Sequence, residues 1–155
     1  MKWDLDERIE DAFRAYLESV QPGDMKAYAA WSFDTPQFPC SIAYVPTTAP
    51  VVEQAEWHDQ RRFTAQIAVM IEAAPAKKDG VITKATRDRN ALARGVVLEA
   101  LAIGDLVDKL NATGVEGVLF SEAQVTTTER SVDGRVLITT ITVEGIAEPQ
   151  EAAGG

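Results

Sequence analysis

One cysteine and one histidine are present in the whole sequence. Cys40 cannot close an internal disulfide, and His58 by itself cannot build a His-rich metal site. No run of about eighteen apolar residues occurs, and Met1-Lys2-Trp3-Asp4 opens without the apolar stretch of a signal peptide. A soluble, cytoplasmically made chain with no membrane partner is therefore expected. Glycines are few, ten in all, and Gly80, Gly95, Gly104, Gly114 and Gly117 lack the spacing of a phosphate-cradling loop. Positive charge is scarce as well: 15 Lys and Arg stand against 24 Asp and Glu, a formal net charge of −9. That balance argues against a general phosphate-binding surface, although an acidic chain can still surround DNA without gripping it. What remains, 155 residues with 46% hydrophobic and 25% charged, is the composition of one ordinary globular domain.

The most informative feature that is present is a long hairpin pattern. Val118–Arg130 and Arg135–Val143 are two β-branched runs that meet at Asp133-Gly134, where Gly supplies positive φ and Asp tolerates the tight bend. Thr and Val line both faces, and neither strand carries a catalytic constellation. Upstream, Trp3, Leu5, Ile9, Phe13, Tyr16, Leu17 and Val20 recur at helical spacing, with Asp4, Asp6 and Glu7 at the dipole-favoured end and Pro22-Gly23 as the stop. Met25–Phe33 and Phe38–Val45 favour strand and are expected to pair as a hairpin, with Pro39 at the start of the second. Thr47-Thr48-Ala49-Pro50 reads as the beginning of an irregular loop over 46–62, in which Val51–Gln60 is a short helix or an excursion that orders against a neighbour. Phe63–Ala73 alternates cleanly with period two and is a core strand. Helices follow over about Thr86–Leu101 and Asp105–Ala112, the second with Leu106, Val107 and Leu110 inward. The expected architecture is α+β: a largely antiparallel mixed sheet, helices packed on one face and a long C-terminal β-hairpin, in a single domain over 1–148 with a frayed tail over 149–155.

Constellations that carry chemistry are weak. His58-Asp59 has the order of a base and its orienting carboxylate, but no Ser or Cys nucleophile with a recognisable elbow accompanies it. Cys40 between Pro39 and Ser41 reads as a buried structural thiol. The carboxylates of the first helix form no compact ligand loop and read as a solvated face. No enzyme activity, metal or cofactor is expected. The one charge anomaly is Lys77, Lys78, Lys84, Arg87, Arg89 and Arg94 against Asp79 and Asp88, net +4 in an acidic chain. Basic runs without interleaved aromatics are poor nucleic-acid signals, so an acidic neighbouring subunit is the better partner. The candidate subunit or partner contacts are Lys84, Arg87, Arg89 and Arg94 from this stretch, Trp57, Arg61 and Arg62 from the end of the irregular loop, and Asp133 and Arg135 at the hairpin turn. The uncharged Thr-rich edge of the hairpin is a second means of pairing with another subunit.

The order of elements resembles the tail terminator proteins of long-tailed phages and phage-like particles. The resemblance rests on the amphipathic helix Asp4–Val20, the strand Phe63–Ile71, the helix containing Asn90-Ala91-Leu92-Ala93-Arg94-Gly95-Val96-Val97-Leu98-Glu99-Ala100-Leu101, the Leu-Val…Leu-Asn segment after it, and the Asp-Gly hairpin. It implies a homo-hexameric ring in the tail-neck region of a virion that caps the tail tube and ends its polymerisation. The implied partners are the tail tube protein and the head–tail connector (stopper) protein, with DNA passing through the ring without sequence-specific binding. Two other readings stand beside it: another head–tail joining or tail-completion protein, and a small non-catalytic ligand-binding domain with a pocket lined by Trp31, Tyr44 and Trp57.

Overall fold

The computed structural model describes residues 4–51, 60–73 and 84–150. Eight elements follow in the order α1 (Leu5–Val20), β1 (Lys26–Ala29), β2 (Cys40–Pro50), β3 (Arg61–Glu72), α2 (Lys84–Leu101), α3 (Leu106–Asn111), β4 (Val118–Asp133) and β5 (Val136–Pro149). The five strands make one sheet of order β1-β2-β3-β5-β4. It is α+β, mixed and largely antiparallel, with the helices on one face and the long C-terminal hairpin at one edge, as the sequence implies.

The alternation in β3 decides which face is covered. Phe63, Ala65, Ile67, Val69 and Ile71 are buried, while Gln66 and Glu72 are exposed on the opposite side. Leu5, Ile9, Phe13 and Leu17 of α1 recur on one helical stripe and join the same core, as do Val97, Leu101, Leu106 and Leu110 of the later helices. Each such side chain contributes roughly 1.5–3 kcal/mol when fully buried. At the centre, Phe13, Phe63 and Phe120 pack edge to face, with centroids 6.2, 6.2 and 5.7 Å apart. The triangle ties α1 to β3 and β4, three elements far apart in the chain.

β1 and β2 correct the expected hairpin: they run parallel, Lys26 beside Cys40 and Ala29 beside Ala43. The connection over 30–39 is long enough to return the chain to the start of β1, where Lys26 N–H donates to Pro39 O at 3.0 Å, and Glu10 fastens the far end. This α1 carboxylate is 4% exposed and accepts the Trp31 N–H on Oε1 at 3.1 Å and the Val45 N–H on Oε2 at 2.9 Å. Trp31 lies just beyond the end of β1 and Val45 at the middle of β2, and the parallel register brings them side by side, so one carboxylate reaches both. The loop expected at Thr47–Pro50 is likewise strand, paired with Arg61–Thr64 of β3. Register slips between Tyr44 and Thr47, leaving Val45 and Pro46 in a bulge. Pro46 has no N–H to satisfy and that of Val45 goes to Glu10, so the irregularity leaves no orphan donor there.

The hairpin turn also differs by one step. Asp133 pairs with Val136, so the two turn residues are Gly134 and Arg135 rather than Asp133 and Gly134. Gly134 has φ +60°, and positive φ confined to the first turn position is the signature of a Gly-X turn. Strand β5 runs beyond Val143 to Pro149 opposite Val118, and Gln150 donates its N–H to Gly117 O. The remainder of the expected tail, 151–155, lies outside the described residues. Two further bulges leave Ser121 and Thr126 without partners in β4, and each reverses which side chains face the helices. At the first, Glu122 O passes so close to Gly145 that an added Cβ would meet the oxygen at 2.0 Å.

Two outcomes follow from this packing. Gly145→Ala is expected to cost about 1–3 kcal/mol, because backbone must move to admit the methyl; a denaturant midpoint equal to that of the wild type would contradict the close approach. Desolvation, followed in weight by hydrogen bonds from Val45 and Trp31 that oppose it, raises the pKa of Glu10 above its ordinary 4.5. The folded state therefore holds this proton more tightly than the unfolded chain, and the associated stability is fully present below about pH 4.5 and lost as pH rises through the folded value. Denaturant melts of wild type against Glu10→Gln should show the wild type losing relative stability as pH rises above the ordinary 4.5, with the opposite trend contradicting the assignment.

Candidate assembly interface

The candidate contacts separate into two groups at opposite ends of β3. Arg61 and Arg62 begin that strand, whereas the hairpin turn meets its other end, where Glu72 pairs with Val136. Eleven residue steps of extended chain separate the two ends by roughly 36 Å. Arg61 is half-buried and donates to Thr48 Oγ1 and Thr48 O, both at 3.3 Å, so it fastens the end of β2. Arg62 is exposed and lines a cleft with Glu122 and Glu144. Trp57 lies outside the described residues, with His58, Asp59, Lys77 and Lys78.

At the other end, Arg135 is anchored within its own subunit. Its Nη2 donates to Ala73 O at 2.9 Å, and Ala73 N–H donates to Arg135 O at 2.6 Å. Asp133 stands exposed beside it. Lys84, Arg87 and Arg89 are exposed on the first turns of α2, and Arg94 is half-buried further along. Lys84 pairs with Asp88 at 3.9 Å, a solvent-exposed contact worth little. Arg87 faces the hairpin across a groove of about 560 Å³ that Asn90, Arg130, Val132, Leu137 and Thr139 also line.

Arg130 is the contact that sequence reasoning missed. The reversals at the two bulges cancel, so alternation from Phe120 gives the side of Arg130; what no local pattern declares is that α2 lies beside it. In the actual register Arg130 opposes Thr139 and Val132 opposes Leu137, which places both on the helix side next to Arg87. Val132 is 67% exposed. Within the same groove, Asn90 Oδ1 is buried without a hydrogen-bond partner.

β4 forms one edge of the sheet, and one stretch of that edge is closed by a side chain. Asn111 accepts the Phe120 N–H on Oδ1 at 2.9 Å and donates Nδ2–H to Phe120 O at 3.0 Å, as a neighbouring strand would. From Thr127 to Asp133 the edge is regular and exposed, which is the form in which edges accept further strands. Trp31 and Tyr44, about half exposed, do not share a pocket. Trp31 is held against α1, its Nε1–H donating to Asp11 Oδ1 at 2.9 Å, while Tyr44 opposes Gln66 on the face away from the helices.

No protein-family model matches the chain, and no curated protein matches it. Among solved structures, a chain described as "Virion of native gene transfer agent (GTA) particle" superposes with a TM-score of 0.52 at 13% sequence identity, over 90% of this chain and 91% of that one. The two chains share a fold. Among the described residues, no helix is long and apolar enough to cross a membrane.

Cys40 lies in β2 and is fully buried, which pushes its thiol up to about 11. The thiolate is the reactive form. Disulfide-exchange reagents at neutral pH are therefore expected to label Cys40 only as fast as the protein opens, with full labelling on adding denaturant. Immediate labelling of the native chain would contradict this environment.

Proposed function

We propose that this chain is a structural, non-catalytic protein of a phage-like virion: a tail terminator whose copies form a hexameric ring, cap the tail tube and join it to the head–tail connector. The single observation that carries the reading is the fold shared with a chain of the GTA virion particle, nearly end to end in both proteins. The distribution of surface features supports it. Contact residues lie at two ends of the sheet, and an exposed strand edge offers main-chain groups to a neighbour, as a closed ring of identical subunits requires.

Charge fits the same role. A ring around a DNA conduit works best when it does not retain the passing phosphates, and a chain of net charge −9 repels them at most of its surface. Its basic residues are then available for contacts between proteins, where complementary charge fixes register and excludes wrong partners.

The test is absolute mass by light scattering across concentration, with negative-stain images taken with and without a tail tube protein. Rings are expected, or tubes whose growth stops when this protein is added. A strict monomer that leaves tube length unchanged would overturn the proposal.

A further inference from the structure

We infer that the groove between the first half of α2 and the tip of the β4–β5 hairpin receives an acidic segment from a second copy of this chain. Three observations at one place lead there. Arg87 from the helix and Arg130 from the strand line the groove from its two sides. Neither is joined to a carboxylate within salt-bridge distance among the ion pairs of the described residues. Two arginines bordering one cleft match carboxylates, which the guanidinium binds in fork geometry.

The second observation is Asn90 Oδ1, buried and without a donor. A buried unsatisfied acceptor costs about 1–3 kcal/mol, and an incoming N–H would remove that cost. The third is the edge of β4 itself, which runs along the groove through Arg130, Ser131 and Val132. The acidic start of a helix supplies the first two features together, carboxylates for the arginines and a first-turn N–H for Asn90, and the exposed edge borders the seat. A free anion satisfies only the first.

Charge complementarity selects the second copy. α2 carries Lys84, Arg87, Arg89 and Arg94 against Asp88 and Glu99, whereas the outer face of α1 carries Asp6, Glu7, Asp11 and Glu18 against Arg8 and Arg14, with Glu18 paired to Arg14 at 2.8 Å. Asp6, Glu7 and Glu18 are exposed. The chain thus offers a basic surface at one place and an acidic surface at another, so copies attract head to tail. A head-to-tail contact uses two different patches and closes into a ring when the rotation permits. The choice of a second copy rests on the assembly reading above; the polypeptide chemistry of the groove does not.

The experiment uses the full chain with Arg87→Glu, Arg130→Glu and the double variant, with Arg87→Gln/Arg130→Gln in reserve if the double reversal does not fold. A photo-crosslinking residue at the exposed position 132 is added to mixtures of unlabelled and heavy-isotope-labelled protein. Mixed-isotope adducts on an acidic peptide are expected, with self-association weakened about tenfold or more by the double reversal and by added salt, while the melting temperature stays unchanged. Self-association unaffected by the reversals, with no mixed-isotope adduct, would overturn the groove assignment while leaving ring formation intact. Association through the groove without any effect on tube growth would leave this inference standing and remove the terminator reading. A chain that stays monomeric with and without a tube would overturn both.

Discussion

The docking of one amphipathic helix across the sheet is the constraint on which the remaining structure depends. α1 covers the buried face of the strands, its Phe13 completes the aromatic triangle with Phe63 and Phe120, and its Tyr16 hydroxyl donates to Ala100 O at the end of α2, at 2.7 Å. Arg8 reaches Glu116 O in the loop before β4. These contacts span the chain from its first turn to its last hairpin. Apolar burial supplies most of the energy, and the polar groups fix orientation. Glu10 shows the division most clearly. Its carboxylate costs desolvation, yet it joins the end of β1 to the middle of β2 and occupies a backbone donor that the bulge has freed.

The sheet's two edges are treated differently. β1 is only four residues long, which leaves little template for unwanted pairing. β4 is sixteen residues long. Asn111 closes it at Phe120, the bulges at Ser121 and Thr126 disturb the next stretch, and only the part near the turn is regular. The exposed regular part coincides with the basic groove. An edge kept flat at one place and disrupted elsewhere confines strand addition to that place, which is compatible with a specific partner and not with indiscriminate association.

Much of the fold was legible because long periodic segments report their own environment. The stripe in α1 and the alternation in β3 were read to within about two residues of their ends, and the hairpin declared itself through β-branched runs around a glycine. Features that depend on distant partners were not legible. Nothing local tells Glu10 that Val45 lies across from it, so a carboxylate on an apolar-flanked turn read as solvated. Parallel β1 and β2 read as a hairpin because neighbours in sequence usually return antiparallel. Pro46 and Pro50 looked like loop signals, since a proline acceptable in a bulge or at a strand end cannot be told from one in a loop. Around the groove, charge and turn chemistry point to Lys84, Arg87 and the hairpin tip. Their meeting with Arg130 and Asn90 depends on how α2 lies against the hairpin, a long-range placement that no local pattern declares.

The aromatic triangle has a consequence for how the protein is made. Phe13 is synthesised early and Phe120 more than a hundred residues later, so α1 has no complete seat until the last hairpin has left the ribosome. At about 5–20 residues per second, the helix has β1 and β2 beside it early but waits for seconds before the part of its seat that Phe120 supplies is complete. Contacts of such long sequence separation slow folding. The groove shares this timing, because β4 and β5 form one of its walls. A nascent chain therefore cannot display the groove until it has been translated through the last strand.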